Sequence, residues 1–540
     1  MFRSLAALAV MVLVAPSLSA ATVARYDVID QSLSCEKELA QPLWDAQVYV
    51  DLTFPSGKQT TVEAFWDGGA TWRFRYCPGE LGVWKWTTRC EQQSSLSGKS
   101  GSFDCIEYFG DSPIYQHGPI RLSENRLFFQ YDDGTPYFFL GDTAWNGVLK
   151  ATDDDWGRYL TIRQQQQFTA IQFVSTQWRG GDKTIPDRVY YPTKPISVNA
   201  KEFQRLDKRV VAINQHGMVA CPVVLWALLG SDPGNALPEK DAQRLAEYIK
   251  ARWGAYNVIW MLSGDCPFKG DSAERWKRIG KNVFGDRQRL CTLHASGQNW
   301  ILGKFADQPW YDFIGYQSGH GDGGSALQWH LAGPVKDAWN QSKNTRPIIN
   351  LEPNYEAIPA YESKQKHDDQ HVRRAAYWSL LISPPAGVTY GHNSIWIWNE
   401  KQGAAENHGS LRNVEPWTAG LKTPGTKSMT VLFDYFASGP RQKLRPNQQL
   451  LATQIGKKNR NHFVAAASTK DGDWSVVYMP VGGKLDLKAD QLPDSSNARW
   501  FNPRTGEFGK PVSPQQEGST LTFEAPSSED WVLDLRRELP

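Results

Sequence analysis

A chain of 540 residues is too long for one ordinary hydrophobic core, so roughly two to four domains are expected. Its 59 basic residues nearly balance 57 acidic ones and no basic run occurs, which gives no sign of a polyanion-binding surface and argues against a nucleic-acid partner. The 23 Trp equal the 23 Phe, a ratio that points to amphipathic stacking surfaces as well as to aromatic cores.

Residues 1–20 read as a secretory signal peptide: Arg3, an apolar stretch from Leu5 to Val14, then the small residues Ala15, Ser17, Ser19, Ala20 and Ala21. Cleavage near Ala20 or Ala21 predicts a secreted or periplasmic protein. The apolar stretch is too short for a stable anchor and no later one is long enough to span a bilayer, so no membrane anchor is expected. Export permits disulfides. Cys35, Cys77, Cys90 and Cys105 suggest two bridges of open connectivity, while Cys221, Cys266 and Cys291 leave at least one thiol free.

Residues 21–115 carry short alternating strands, such as Ala46–Phe54, Thr60–Trp66, Thr71–Tyr76 and Val83–Thr88. Pro55-Ser56-Gly57, Asp67-Gly68-Gly69 and Pro78–Gly82 turn the chain between them, the grammar of a β-sandwich. Over residues 116–440 strands alternate with helices. Strands are predicted at Tyr137–Leu140, Phe168–Val174, Met218–Leu225, the run ending at Asp265, Leu290–His294, Phe313–Tyr316, Pro347–Leu351 and Gly387–Tyr390. Thr152 caps one helix ahead of Asp153, Asp154 and Asp155; another opens at Pro238, repeats Leu245, Ile249 and Trp253, and stops at Gly254. Eight strands with helices between most of them fit a (β/α)8 TIM barrel; a doubly wound sheet is the rival, and no GxGxxG supports it. Residues 441–540 return to strands around Phe463–Ala467, Trp474–Met479, Ala498–Phe501 and Trp531–Leu535, a second β-sandwich.

In such a barrel function sits just past each strand. Those positions give Asp142 and Trp145; Gln177 and Trp178; Trp226; Asp265; His294; Tyr316, Gln317 and His320; Glu352 and Tyr355; Tyr390 and His392. Asp265 and Glu352 are the two acids that glycosidic bond cleavage requires, and the others form a sugar-binding inventory of rings and polar groups. Each has a plainer reading: Asp265 as a turn residue, Glu352 as a partner of Arg346 or Arg373, Asp142 as a helper orienting a neighbour, His294 as a hydrogen-bonded wall. Tyr316, Trp396 and Trp398 could equally be core. His367-Asp368-Asp369-Gln370-His371 has the histidine spacing of a zinc helix, but Asp replaces Glu and no third ligand follows, so it reads as the acidic start of a helix and no metal or cofactor is expected. No GxSxG elbow exists, and Ser318–Gly324 is glycine-rich without the ending of a phosphate loop.

Phe139–Trp145, Val258–Trp260 with Gly264-Asp265, Tyr316–His320, Glu352–Glu356 and Tyr390–Trp396 resemble, in order, the apiosidase-like glycoside hydrolase domain. Phe65–Gly68 with Trp72–Arg75 resembles the immunoglobulin-like domain that precedes such barrels, and Ala498–Gly506 is similar to a collagen-binding-like β domain. The resemblance implies Asp265 as acid/base, Glu352 as nucleophile, and release of apiose-linked side chains from pectin. The expectation is a secreted, retaining glycoside hydrolase acting on a plant or algal polysaccharide or oligosaccharide, with the carboxyls about 5–5.5 Å apart and Asp265 the more buried, raised acid. The alternative is a non-catalytic carbohydrate-binding or adhesion protein. Sugar, linkage and oligomeric state are left open.

Overall fold

The computed structural model describes residues 21–177, 188–340, 346–406, 408, 411–492 and 497–537. The signal-peptide reading of residues 1–20 therefore lies outside the described residues.

The N-terminal part is a sandwich of a five-stranded sheet and a three-stranded one. Alternation along the strands turns Val50, Leu52, Trp84 and Phe103 of the larger sheet against Leu33, Trp72 and Phe74 of the smaller. The strand Ala21–Ala24 pairs in parallel with Phe103–Ile106. All seven cysteines are free thiols, so the two expected bridges are not formed. Cys35 instead contacts the Ser95 hydroxyl at 3.4 Å and the Cys77 thiol donates to the Tyr26 carbonyl at 3.2 Å.

The central part is a barrel of eight parallel strands: β1 (Phe139–Thr143), β2 (Ala170–Val174), β3 (Val219–Trp226), β4 (Trp260–Gly264), β5 (Cys291–Thr292), β6 (Ile314–Tyr316), β7 (Ile348–Asn350) and β8 (Gly387–Gly391). They are hydrogen-bonded in the order β5-β4-β3-β2-β1-β8-β7-β6. Between β5 and β6 the wall is completed by residues at the strand ends: the Asp312 amide donates to the Cys291 carbonyl at 2.9 Å, and the Thr292 hydroxyl to the Phe313 carbonyl at 2.7 Å. Inward side chains such as Phe139, Val219, Met261, Phe313 and Ile349 fill the interior.

The helices follow the sequence signals. α1 (Asp153–Gln165) begins at Thr152, whose hydroxyl accepts from the Asp155 amide. α2 (Ala200–Gln215) follows β2, and α3 (Glu239–Trp253) buries Leu245, Ile249 and Trp253 and ends at Gly254. α4 (Asp369–Leu381) starts at Asp368, whose carboxylate accepts from the His371 amide, so the stretch is the acidic start of a helix, as its sequence reads. β1 runs through Asp142 rather than stopping before it. Pairing with both Ala170–Gln172 and Thr389–Gly391 carries the chain through Gly141-Asp142, residues of poor strand propensity, as strand.

The C-terminal part packs a six-stranded sheet on a three-stranded one. Charged networks join the parts. Asp207 of α2 accepts from Arg75 of the N-terminal sandwich at 2.7 Å and from Arg252 of α3 at 2.7 and 2.8 Å. On the other side Arg373 of α4 forks onto Asp530 at 2.7 and 2.9 Å, and the Tyr377 and Tyr478 rings stack 4.5 Å apart. With these contacts the sandwiches are docked against the barrel.

Candidate active site

Asp265 follows β4 and Glu352 follows β7, two positions past Asn350, so both stand at the C-terminal mouth of the barrel. They line one cavity of about 550 Å³. Asp265 takes φ of 53°, a left-handed conformation that side chains other than glycine seldom adopt. Gly264 before it is dictated by space: a Cβ there would lie 2.4 Å from the Trp226 ring. The chain thus turns sharply at the strand end to bring the Asp265 carboxylate to the cavity, with Trp226 packed beneath.

Glu352 is 8 % exposed and lies against two imidazoles, His320 and His294. The Tyr355 amide donates to His320 Nδ1 at 3.3 Å, which leaves the ring proton on Nε2, and Nε2 then donates to Glu352 Oε1 at 3.0 Å. His294 Nε2 stands 3.5 Å from Glu352 Oε2, its ring edge-on to Trp145 at 5.3 Å. Burial holds both imidazoles down, His320 to about 3 and His294 to about 4, so neither carries charge at neutral pH. Burial likewise pushes the Glu352 carboxyl up to about 8, against the opposing pull of Tyr355 and Gln317. The expectation that Asp265 is the more buried acid is therefore reversed: Asp265 is only partly buried and Glu352 is the enclosed one.

Of the other expected residues, Trp145, Trp226, Gln317, His320 and Tyr355 line this cavity. Five are placed elsewhere or engaged otherwise. Asp142 lies on the outward face of β1, fully buried, and accepts from Tyr159 at 2.6 Å and from Arg163 at 2.5 Å, both on α1. Tyr316 also points outward, its ring near Trp300, Trp329 and His330. Tyr390 faces out from β8 and donates to Glu356 at 2.6 Å. Strand alternation explains all three: one face of each strand meets the cavity side and the next residue meets the helices. Gln177 is spent on the backbone, donating to the Tyr190 carbonyl and accepting from the Val189 and Tyr190 amides. His392 caps a short helix, its Nδ1 accepting from the Ser394 amide at 3.2 Å. Trp178 lies outside the described residues.

The cavity also takes in Trp396, whose ring meets His408 at 4.8 Å, together with Tyr361, Lys364 and Leu411. Trp396 was legible only as an aromatic past the last strand. Tyr361 and Lys364 fall in a loop with no motif, and no local signal marks them. Trp398, by contrast, is core, stacked on Trp417 at 4.7 Å. Among the described residues no cluster of His, Cys, Asp or Glu could hold a metal ion, and no helix is long and apolar enough to cross a membrane.

Two carboxyls at the ends of β4 and β7, over a cavity walled by three indoles, define a barrel glycoside hydrolase. Residues 123–442 match the model of the apiosidase-like catalytic domain, so the chain belongs to that family. Residues 22–91 match DUF5060, a domain of unknown function, and residues 446–536 match the "putative collagen-binding domain of a collagenase". Among solved structures, a glycoside hydrolase aligns at 23 % identity with a TM-score of 0.66, covering 79 % of this chain and 98 % of the other. A "putative glycoside hydrolase" from Bacteroides vulgatus ATCC 8482 aligns at 17 % identity with a TM-score of 0.72, covering 96 % and 99 %. A family 5 glycoside hydrolase from the same organism gives 21 % and 0.66 over 79 % and 95 %. These likenesses concern the fold. No curated protein matches.

Proposed function

We infer that this glycoside hydrolase is exported and cleaves apiose-bearing side chains of a pectic polysaccharide by a retaining mechanism. The observation that carries the reading is the pairing of Asp265 and Glu352 in one indole-lined cavity, on a chain whose family is apiosidase-like.

In this reading the resting pair keeps one proton near neutral pH, because burial lifts Glu352 to about 8. The productive form carries that proton on Asp265 and leaves Glu352 anionic, steadied by the His320 Nε2–H. Glu352 attacks the anomeric carbon as Asp265 protonates the departing oxygen. Asp265 then takes a proton from water, which attacks the same carbon and frees Glu352. Trp145, Trp226 and Trp396 exclude water and present apolar faces to the sugar ring.

Export rests on residues 1–20. Cleavage after Ala20 leaves the strand Ala21–Ala24 whole, so that N-terminus fits the sandwich.

The test is digestion of pectic and marine polysaccharides with the wild-type protein and Glu352→Gln, followed by product analysis and NMR of the first-formed anomer. Apiose released by the wild type alone, with retained configuration, supports the reading. Inverted product sinks the mechanism, and binding without turnover across the panel sinks the activity.

A further inference from the structure

Beyond His320, the glycine-rich stretch Ser318–Gly324 has no part in the chemistry so far, yet it is the mount for a hairpin that crosses the rim of the cavity. In that hairpin Pro359 pairs with Lys366 and the Ala360 amide donates to the Gln365 carbonyl at 2.8 Å. Glu362 accepts from the Asp322 amide at 2.7 Å and the Gly323 amide at 3.1 Å, and Asp322 accepts in return from the Ser363 amide at 3.2 Å. The glycines make this docking feasible: a Cβ on Gly321 or Gly323 would stand 3.1 or 2.9 Å from the Glu362 side chain. The Tyr361 amide completes the clamp by donating to the His320 carbonyl at 3.1 Å.

What the clamp holds out is a ring. Tyr361 lines the cavity and meets the His320 ring edge-on at 5.6 Å, yet it remains 57 % exposed. The other tyrosine and the tryptophans of the cavity are each buried to 6 % exposure or less. Its phenol is pushed up by burial of the hydroxyl end and then by the nearby Glu352 and Asp265 carboxyls. Tyr361 thus lines the same cavity as both acids while more than half of its surface stays open to solvent. Packing against His320 alone leaves most of this aromatic uncovered, and an aromatic so exposed beside a glycosidic site suits the apolar face of a second sugar.

We propose that Tyr361 is a specificity-determining residue, a stacking platform for the sugar on the leaving-group side of the scissile bond. The sugar being cleaved occupies the deep part of the cavity among Trp145, Trp226 and Tyr355, and the unit beyond the bond passes outward across Tyr361. The platform rests on the pectic apiosidase reading, and two substrates separate the fates of the two. An apiose-bearing pectic oligosaccharide carries a sugar leaving group, whereas apiosyl fluoride carries a single atom. Tyr361→Ala should lose roughly tenfold in kcat/KM on the oligosaccharide, chiefly through KM, and distinctly less on the fluoride. Tyr361→Phe, which keeps the ring, should restore most of the loss. Equal losses on both substrates, or a Phe variant as impaired as Ala, overturn the platform while the activity stands. Wild-type protein that turns over neither substrate overturns the apiosidase reading and the platform with it.

Discussion

Asp207 at the domain junction and Glu352 at the barrel mouth are each 8 % exposed, and burial presses both carboxyls toward the neutral form. Their outcomes are opposite. Arg75 and Arg252 outweigh burial at Asp207 and hold its carboxyl below the usual range. Glu352 meets neutral imidazole, amide and phenol groups and shares its cavity with a second acid, Asp265, and burial raises it to about 8. Equal depth therefore says little about an acid's role; the charge of its neighbours decides it. Asp142 and Asp530 are likewise paired with arginine, Arg163 and Arg373, so the inner frame is built on arginine-paired acids while Glu352 at the mouth lies against imidazoles.

The sharpest way to break this contrast is to remove each acid. Glu352→Gln should lower kcat on the order of 10⁴-fold, measured on the pectic substrate, with the folded structure intact by circular dichroism. Substantial residual turnover would take Glu352 out of the chemistry. Asp207→Asn should do the reverse. It leaves two buried guanidiniums short of a partner, with an expected destabilisation of about 3–5 kcal/mol in urea unfolding and little change in activity per folded molecule.

Smaller effects appear with pH. The raised Glu352 carboxyl binds its proton more tightly in the folded chain, so its burial costs nothing at low pH and withdraws stability as pH climbs from its ordinary 4.5 toward about 8. The Tm of Glu352→Gln should accordingly match the wild type near the low end of that window and exceed it at the high end. Asp207, held low, contributes stability above its unfolded value that is lost as pH falls through its folded one. In kinetics, kcat/KM should fall above about pH 8 as the Asp265–Glu352 pair loses its last proton. The smallest change is expected from His320→Ala: with the donor to Glu352 Oε1 gone, the anion is less favoured and that alkaline limb should move to higher pH. A limb that stays put would mean His320 does not tune the pair.

Much of this was legible in the chain. Alternating strands, capped helices and the order of apolar runs specify sandwich, barrel and sandwich, because each rests on local periodicity and turn chemistry. Asp265 and Glu352 could be found because a strand followed by an acid at a barrel mouth is a local pattern. Which neighbour each polar group meets is not local. Asp142, Tyr316 and Tyr390 fell to the outer face through a pleat whose phase depends on pairing with other strands, and Gln177 and His392 turned to nearby backbone. Only the tertiary structure set His320 and His294 against Glu352, brought Arg75 across a domain boundary to Asp207, and clamped Tyr361 over the cavity. The sequence by itself named the two acids. Their unequal burial, and with it the raised Glu352 carboxyl, was decided by packing between segments far apart in the chain.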